Sequence, residues 1–169
     1  GRPLLAHVIS CARELAADDI CVVYGHGGDR VRQTIADAGL RWAEQAEQLG
    51  TGHAVMQAMP ETPDNNQALI LFGDVPLLRP ATLKALNSVT GSDDMSVLTV
   101  DMDDPTGYGR IVRNKNGVER IVEQKDATDA ERAIAEINTG VMLCRADRLK
   151  SWLDRLGNDN AQGEYYLTD

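Results

Sequence analysis

Ala68-Leu69-Ile70-Leu71-Phe72, followed at once by Gly73-Asp74-Val75-Pro76, decides how this chain folds. Five consecutive apolar residues with no polar interruption suit a strand buried on both faces, and the glycine and proline stop it abruptly. On its N-terminal side, Thr51 to Met59 reads as a helix with Pro60 behind it. On its C-terminal side, Pro80 opens a helix to Val89, and Ser96 to Val100 is another strand.

The same alternation runs through the rest of the chain. Apolar residues at 4, 5, 8, 9, 12 and 15 after Pro3 mark a first helix. Ile20 to Tyr24 is a strand ending at Gly25-His26-Gly27-Gly28, a helix runs from Asp29 to Asp37, and Leu40 to Gln45 is a second strand. Arg110 to Arg113 and Val118 to Val122 form a hairpin across Asn114-Lys115-Asn116-Gly117. A short helix at 129–133, a strand from Ile137 to Cys144 and an amphipathic helix from Ala146 to Leu156 complete the pattern. Strands alternating with helices predict an α/β fold with a mixed, mostly parallel sheet and helices on both faces. Ligands then collect beyond the carboxyl ends of the strands.

The 169 residues, 43% hydrophobic and 25% charged, fit one globular domain, and no apolar run approaches the ~20 residues of a membrane-spanning helix. A net charge of −9 repels a phosphate backbone, which argues against nucleic acid as a partner. Three cysteines, Cys11, Cys21 and Cys144, without paired spacing favour a reducing, cytoplasmic setting. His7, His26 and His53 lack zinc-ligand spacing, and neither a G-x-S-x-G elbow nor an H-E-x-x-H pair is present.

The strand-end loops carry the candidate chemistry. Gln45-Ala46-Glu47-Gln48-Leu49-Gly50-Thr51-Gly52 leads from a strand into a helix whose first N–H groups are free for a phosphate or a base edge. The Gln45 amide, donor and acceptor at once, matches N3–H and O4 of uracil; the alternative is a solvated side chain above a glycine-shaped helix entry. Asp74 is placed to reach a substrate-bound Mg²⁺, or else is a turn residue bonding its own backbone. Asp101, Asp103 and Asp104 read as a solvated acidic rim. Arg110 and Lys125 are surface cations or phosphate partners, and Gly25 to Gly28 lacks both standard phosphate-loop spacings.

Six segments, in order, carry a resemblance: 45–54, Gly73-Asp74-Val75-Pro76-Leu77, Asp104-Pro105-Thr106-Gly107-Tyr108-Gly109-Arg110-Ile111, Val122-Glu123-Gln124-Lys125-Asp126-Ala127, Glu136-Ile137-Asn138-Thr139-Gly140 and 160–169. Together they resemble the uridylyltransferase domain of the bacterial bifunctional N-acetylglucosamine-1-phosphate uridyltransferase/glucosamine-1-phosphate acetyltransferase family. The resemblance implies a Rossmann-like nucleotide-diphospho-sugar transferase fold. It implies Mg²⁺-dependent transfer of uridylyl from UTP to N-acetylglucosamine 1-phosphate, giving UDP-N-acetylglucosamine and pyrophosphate for peptidoglycan and lipopolysaccharide precursors. It assigns Gln45, Gly50 and Thr51 to uridine, Phe72 and Gly73 to the substrate, Asp74 to Mg²⁺ and catalysis, and Gly109, Glu123 and Asn138 to the N-acetylglucosamine unit. Phe72 stands where relatives carry Tyr.

On the same resemblance, residues 1–169 are an internal part of that domain. The first strand with its Gly-rich phosphate loop, the C-terminal end of the domain, and a trimerising β-helix acetyltransferase domain all lie outside it, so the isolated piece is expected to be inactive. Two other readings stand beside it: a sugar-nucleotide-dependent glycosyltransferase using Asp101 and Asp103 for its metal, and a non-catalytic UDP-sugar-binding module.

Overall fold

A computed structural model describes residues 1–169. The elements follow as α1 (Leu4–Arg13), β1 (Cys21–Tyr24), α2 (Gly28–Ile35), β2 (Arg41–Glu44), α3 (Thr51–Ala58), β3 (Gln67–Ile70), α4 (Pro80–Val89), β4 (Ser96–Asp101), β5 (Arg110–Asn114), β6 (Gly117–Val122), α5 (Asp129–Arg132), β7 (Glu136–Arg145) and α6 (Ala146–Leu153). The sequence pattern had marked each of them. β3 ends at Ile70 because Leu71 and Phe72 leave the ladder for a turn, in which the Val75 N–H donates to the Phe72 carbonyl at 3.3 Å.

The expectation of a mostly parallel sheet needs correcting. β1 and β2 pair in parallel, whereas β3, β4 and β5 each pair antiparallel with β7, and β5 pairs antiparallel with β6. The physical reason lies in β7. β3 and β4, joined through α4, run in the same direction as a helix crossover requires, yet β7 is inserted between them and runs the opposite way. Alternation in sequence reports direction, and a strand arriving later can still separate the pair.

Side-chain alternation along β7 builds a core on each face. Val141 and Leu143 pack with Cys11 of α1 and with Leu83 and Leu86 of α4, while Cys144 packs with Met59 and with Ala146, Leu149 and Leu153 of α6. Leu83 and Leu149 are almost completely buried, each worth about 1.5–3 kcal/mol in burial. α1 spans both sheets, since its Ile9 packs with Val22 and Leu40 beside the β1–β2 pair. Burial in this core pushes the Cys144 thiol up to about 11. All three cysteines are free, and no helix is long and apolar enough to cross a membrane.

Candidate active site

Gln45 stands directly after β2, where its backbone N–H still donates to the Tyr24 carbonyl at 2.7 Å and prolongs the parallel pairing. Its half-buried side chain turns back on its own loop. Nε2 donates to the Gly50 carbonyl at 3.0 Å and lies 3.1 Å from His53 Nδ1. Beside it opens a polar cleft of about 270 Å³ whose wall includes Tyr24, His26, Glu44, Gln45 and Gln48.

The loop is clamped from the far end of the chain. The Tyr165 N–H donates to the Leu49 carbonyl and the Gly52 N–H to the Tyr165 carbonyl, both at 2.8 Å. The Leu167 N–H donates to Thr51 Oγ1 at 3.0 Å. Gly50, at φ +109°, leaves no room for a side chain, because a Cβ there would stand 2.6 Å from the Tyr165 carbonyl oxygen. One of the helix N–H groups that the sequence left for a ligand, that of Gly52, is therefore taken by this strap.

Three candidate sugar residues converge although they lie on separate elements. The Asn138 N–H donates to the Gly109 carbonyl at 2.8 Å, and a Cβ on Gly109 would sit 3.1 Å from Glu123 Oε1. Asn138 Oδ1 accepts from the Gly140 N–H at 2.9 Å, which turns the amide so that Nδ2 is left for a ligand. Glu123 Oε1 accepts from the Thr168 hydroxyl at 3.0 Å, so the strap that holds the Gln45 loop reaches this wall as well. Between these contacts Tyr166 is buried, and its hydroxyl has no partner within the chain. Burial, with the nearby carboxylates of Asp126 and Glu164, pushes its phenol above the usual range.

Phe72 packs its ring over Gly140, whose φ of +78° and missing Cβ let the two segments meet; a Cβ there would be 2.3 Å from the ring. The Gly73-Asp74 turn is thereby held beside the Asn138 to Gly140 segment. The Asp74 carboxylate is exposed and makes no hydrogen bond or ion pair; the turn is closed by backbone groups of Phe72 and Val75 instead. As a donor set, one free hard carboxylate fits a Mg²⁺ that keeps most of its shell for phosphate oxygens and water. No cluster of three or more metal-ligating side chains exists.

Some residues behave otherwise than the sequence suggested. Arg110 is neither a surface cation nor a phosphate partner. The residue is 1% exposed, and its guanidinium donates to the Tyr108 carbonyl, to Gln124 Oε1 at 2.7 Å and to the Arg132 carbonyl at 3.3 Å, bracing the turn that carries Gly109. Lys125 is exposed. Asp101, Asp103 and Asp104 form an exposed rim, with Asp104 held below the usual carboxylate range by hydrogen bonds from Thr106. Tyr165, Thr168 and His53 were missed as parts of the site. The 160–169 motif was visible, but nothing local ties Thr51 to Leu167, 116 positions apart.

A glycine-shaped amide loop and a carboxylate turn after strand ends stand with a polar wall formed by Gly109, Glu123 and Asn138, and the strap of Tyr165 to Thr168 ties the loop to that wall. Residues 1–162 match the MobA-like NTP transferase domain, and the chain belongs to that family. More particularly, it is similar along its whole length to the bifunctional protein GlmU of Herminiimonas arsenicoxydans, 54% identical over 169 residues. It is similarly close to that of Cupriavidus taiwanensis, 59% over 170, and of Acinetobacter baumannii strain AYE, 53% over 169. The chain spans 37% of the length of each of these relatives. Among solved structures, a UDP-glucose pyrophosphorylase complexed with UDP-glucose aligns with a TM-score of 0.76 over 99% of this chain and 72% of that one, at 14% identity. That likeness bears out the α/β, Rossmann-like nucleotide-diphospho-sugar transferase fold.

Proposed function

We propose that this chain supplies the base-reading and sugar-reading residues for uridylyl transfer from UTP to N-acetylglucosamine 1-phosphate, giving UDP-N-acetylglucosamine and pyrophosphate, in the full-length protein. The observation that carries the reading is the single strap, Tyr165 to Thr168, that fixes the Gln45 loop at one end and Glu123 at the other. One segment thus holds a base-reading loop and a sugar-reading wall in fixed relation, which is what joining a nucleotide to a sugar phosphate requires. The relatives, at more than half identity across the whole chain, support the same reading.

Gln45, Gly50 and Thr51 hold the uridine, and Phe72 and Gly73 shape the floor next to Asp74. Gly109, Glu123 and Asn138 hold the N-acetylglucosamine unit, Glu123 accepting from sugar hydroxyls and Asn138 Nδ2 donating to the acetamide carbonyl. With both substrates held, an oxygen of the sugar phosphate forms a bond to the α-phosphorus of UTP as the bond to the leaving pyrophosphate oxygen breaks in line. That oxygen is already ionised, so no general base is needed, in keeping with a site that presents carboxylates and amides. Asp74 would hold the Mg²⁺, which when bound neutralises charge on the transferring phosphoryl group. Three free thiols suit a reducing, cytoplasmic setting. In a protein as long as the relatives, the remaining chain would supply trimerisation and acetyl transfer.

The test is product analysis on the full-length protein that contains this chain. Pyrophosphate and UDP-N-acetylglucosamine formed from UTP and N-acetylglucosamine 1-phosphate are expected. UDP released from a UDP-sugar, with no pyrophosphate, would establish the glycosyltransferase reading instead.

A further inference from the structure

The Gln45 amide has two N–H hydrogens and one carbonyl oxygen, and its surroundings determine which of these remains for a ligand. Gly50 presents only a carbonyl oxygen, 3.0 Å from Gln45 Nε2, and this fixes the NH₂ end of the amide on the protein side. The second neighbour of Nε2 is His53 Nδ1, at 3.1 Å. An amide NH₂ cannot accept a hydrogen bond, so Nδ1 accepts and the ring carries its proton on Nε2. Both N–H hydrogens of Gln45 are engaged, and Oε1 alone is left.

The geometry points to His53 as the positioning residue that makes Gln45 an acceptor-only reader of the nucleobase, selecting a base that offers a ring N–H, as uracil does at N3, over one with a bare ring nitrogen there, as in cytosine. This inference rests on the uridylyl-transfer reading and sharpens it, since the two-point pairing with N3–H and O4 expected from the amide alone gives way to a single contact through Oε1. His53 does not touch the base. It acts by occupying the hydrogen that would otherwise be free to serve a cytosine N3 once the amide turns. The histidine is itself supported: it is half-buried in the first turn of α3, and the Tyr165 ring of the strap lies over it with centroids 6.4 Å apart at 34°.

The experiment measures equilibrium binding of UTP and CTP, alongside turnover with each, for the full-length protein and for His53→Leu and His53→Asn. Leucine removes the acceptor at similar volume, whereas asparagine can place Oδ1 near the position of Nδ1. His53→Leu is expected to reduce the UTP-over-CTP binding preference about tenfold, the scale of one hydrogen bond. The change should appear in UTP and CTP affinity with kcat and the KM for the sugar phosphate little altered, and His53→Asn should restore most of the preference. An undiminished preference in a folded His53→Leu protein, or equal losses in the leucine and asparagine variants, overturns the role of His53 and leaves uridylyl transfer standing. A wild-type protein that binds UTP and CTP equally overturns the inference together with the uridine assignment of Gln45.

Discussion

Gln45, just past β2, and Asn138, near the start of β7, are both carboxamides, and their neighbours turn them into opposite instruments. Gln45 directs its NH₂ into the protein, toward Gly50 and His53, and leaves an oxygen. Asn138 directs its oxygen to the Gly140 N–H and leaves its NH₂. One end of the site therefore accepts where the other donates, which suits a base with a ring N–H at one end and an acetamide carbonyl at the other. What a side-chain amide reads is set by the hydrogen bonds it has already made, and the residue type alone does not decide it.

Substitutions can break or sharpen this contrast. The largest effect is expected at Asp74, proposed to hold the Mg²⁺: Asp74→Asn should lower kcat by at least ~10²-fold at saturating Mg²⁺, with KM for either substrate little changed. Near-normal turnover would remove Asp74 from catalysis. Asn138→Asp keeps shape but replaces the donor facing the ligand by an anion. The KM for N-acetylglucosamine 1-phosphate should rise roughly 10–100-fold in steady-state kinetics, with the KM for UTP unchanged.

The equivalent swap at the other end acts differently. Gln45→Glu sets an oxygen against the Gly50 carbonyl, so it should lower stability by about 1–3 kcal/mol in urea unfolding, a cost Asn138→Asp does not share. The smallest effect is expected from Thr168→Val, which removes the hydroxyl that steadies Glu123. A rise of about fivefold in the KM for the sugar phosphate, recovered by Thr168→Ser, is expected from the loss of one neutral-to-charged hydrogen bond.

How much of this was legible in the sequence follows the range of the contacts involved. The helices and strands were legible because each carries its own periodicity, as along α1, and its own stop signal, as at Pro76. The Gln45 loop was legible as a candidate site because its parts lie within nine residues, yet the orientation of its amide was not, since no sequence pattern reports where the Gly50 carbonyl points. Gly109, Glu123 and Asn138 could be grouped only through family resemblance, because it is the pairing of β5 with β6 and β7 that brings them together. Arg110 misled for the opposite reason: a charged residue next to glycines suggests a surface, and its burial depends on Gln124 and Arg132, which come close only once the hairpin has formed. The antiparallel pairing of β7 was hidden in the same way.

The division of labour between the two ends is the central claim, and crossed kinetics test it most directly. In the full-length protein, KM for UTP and for N-acetylglucosamine 1-phosphate should be measured for the wild type, Gln45→Ala and Glu123→Ala, with pyrophosphate release as the signal. Gln45→Ala is expected to raise the KM for UTP alone and to weaken the preference for UTP over CTP, and Glu123→Ala to raise the KM for the sugar phosphate alone by about 10–100-fold. If Gln45→Ala leaves the KM for UTP and the preference for uracil unchanged, or if Glu123→Ala acts on UTP as strongly as on the sugar phosphate, the assignment of the two ends is contradicted.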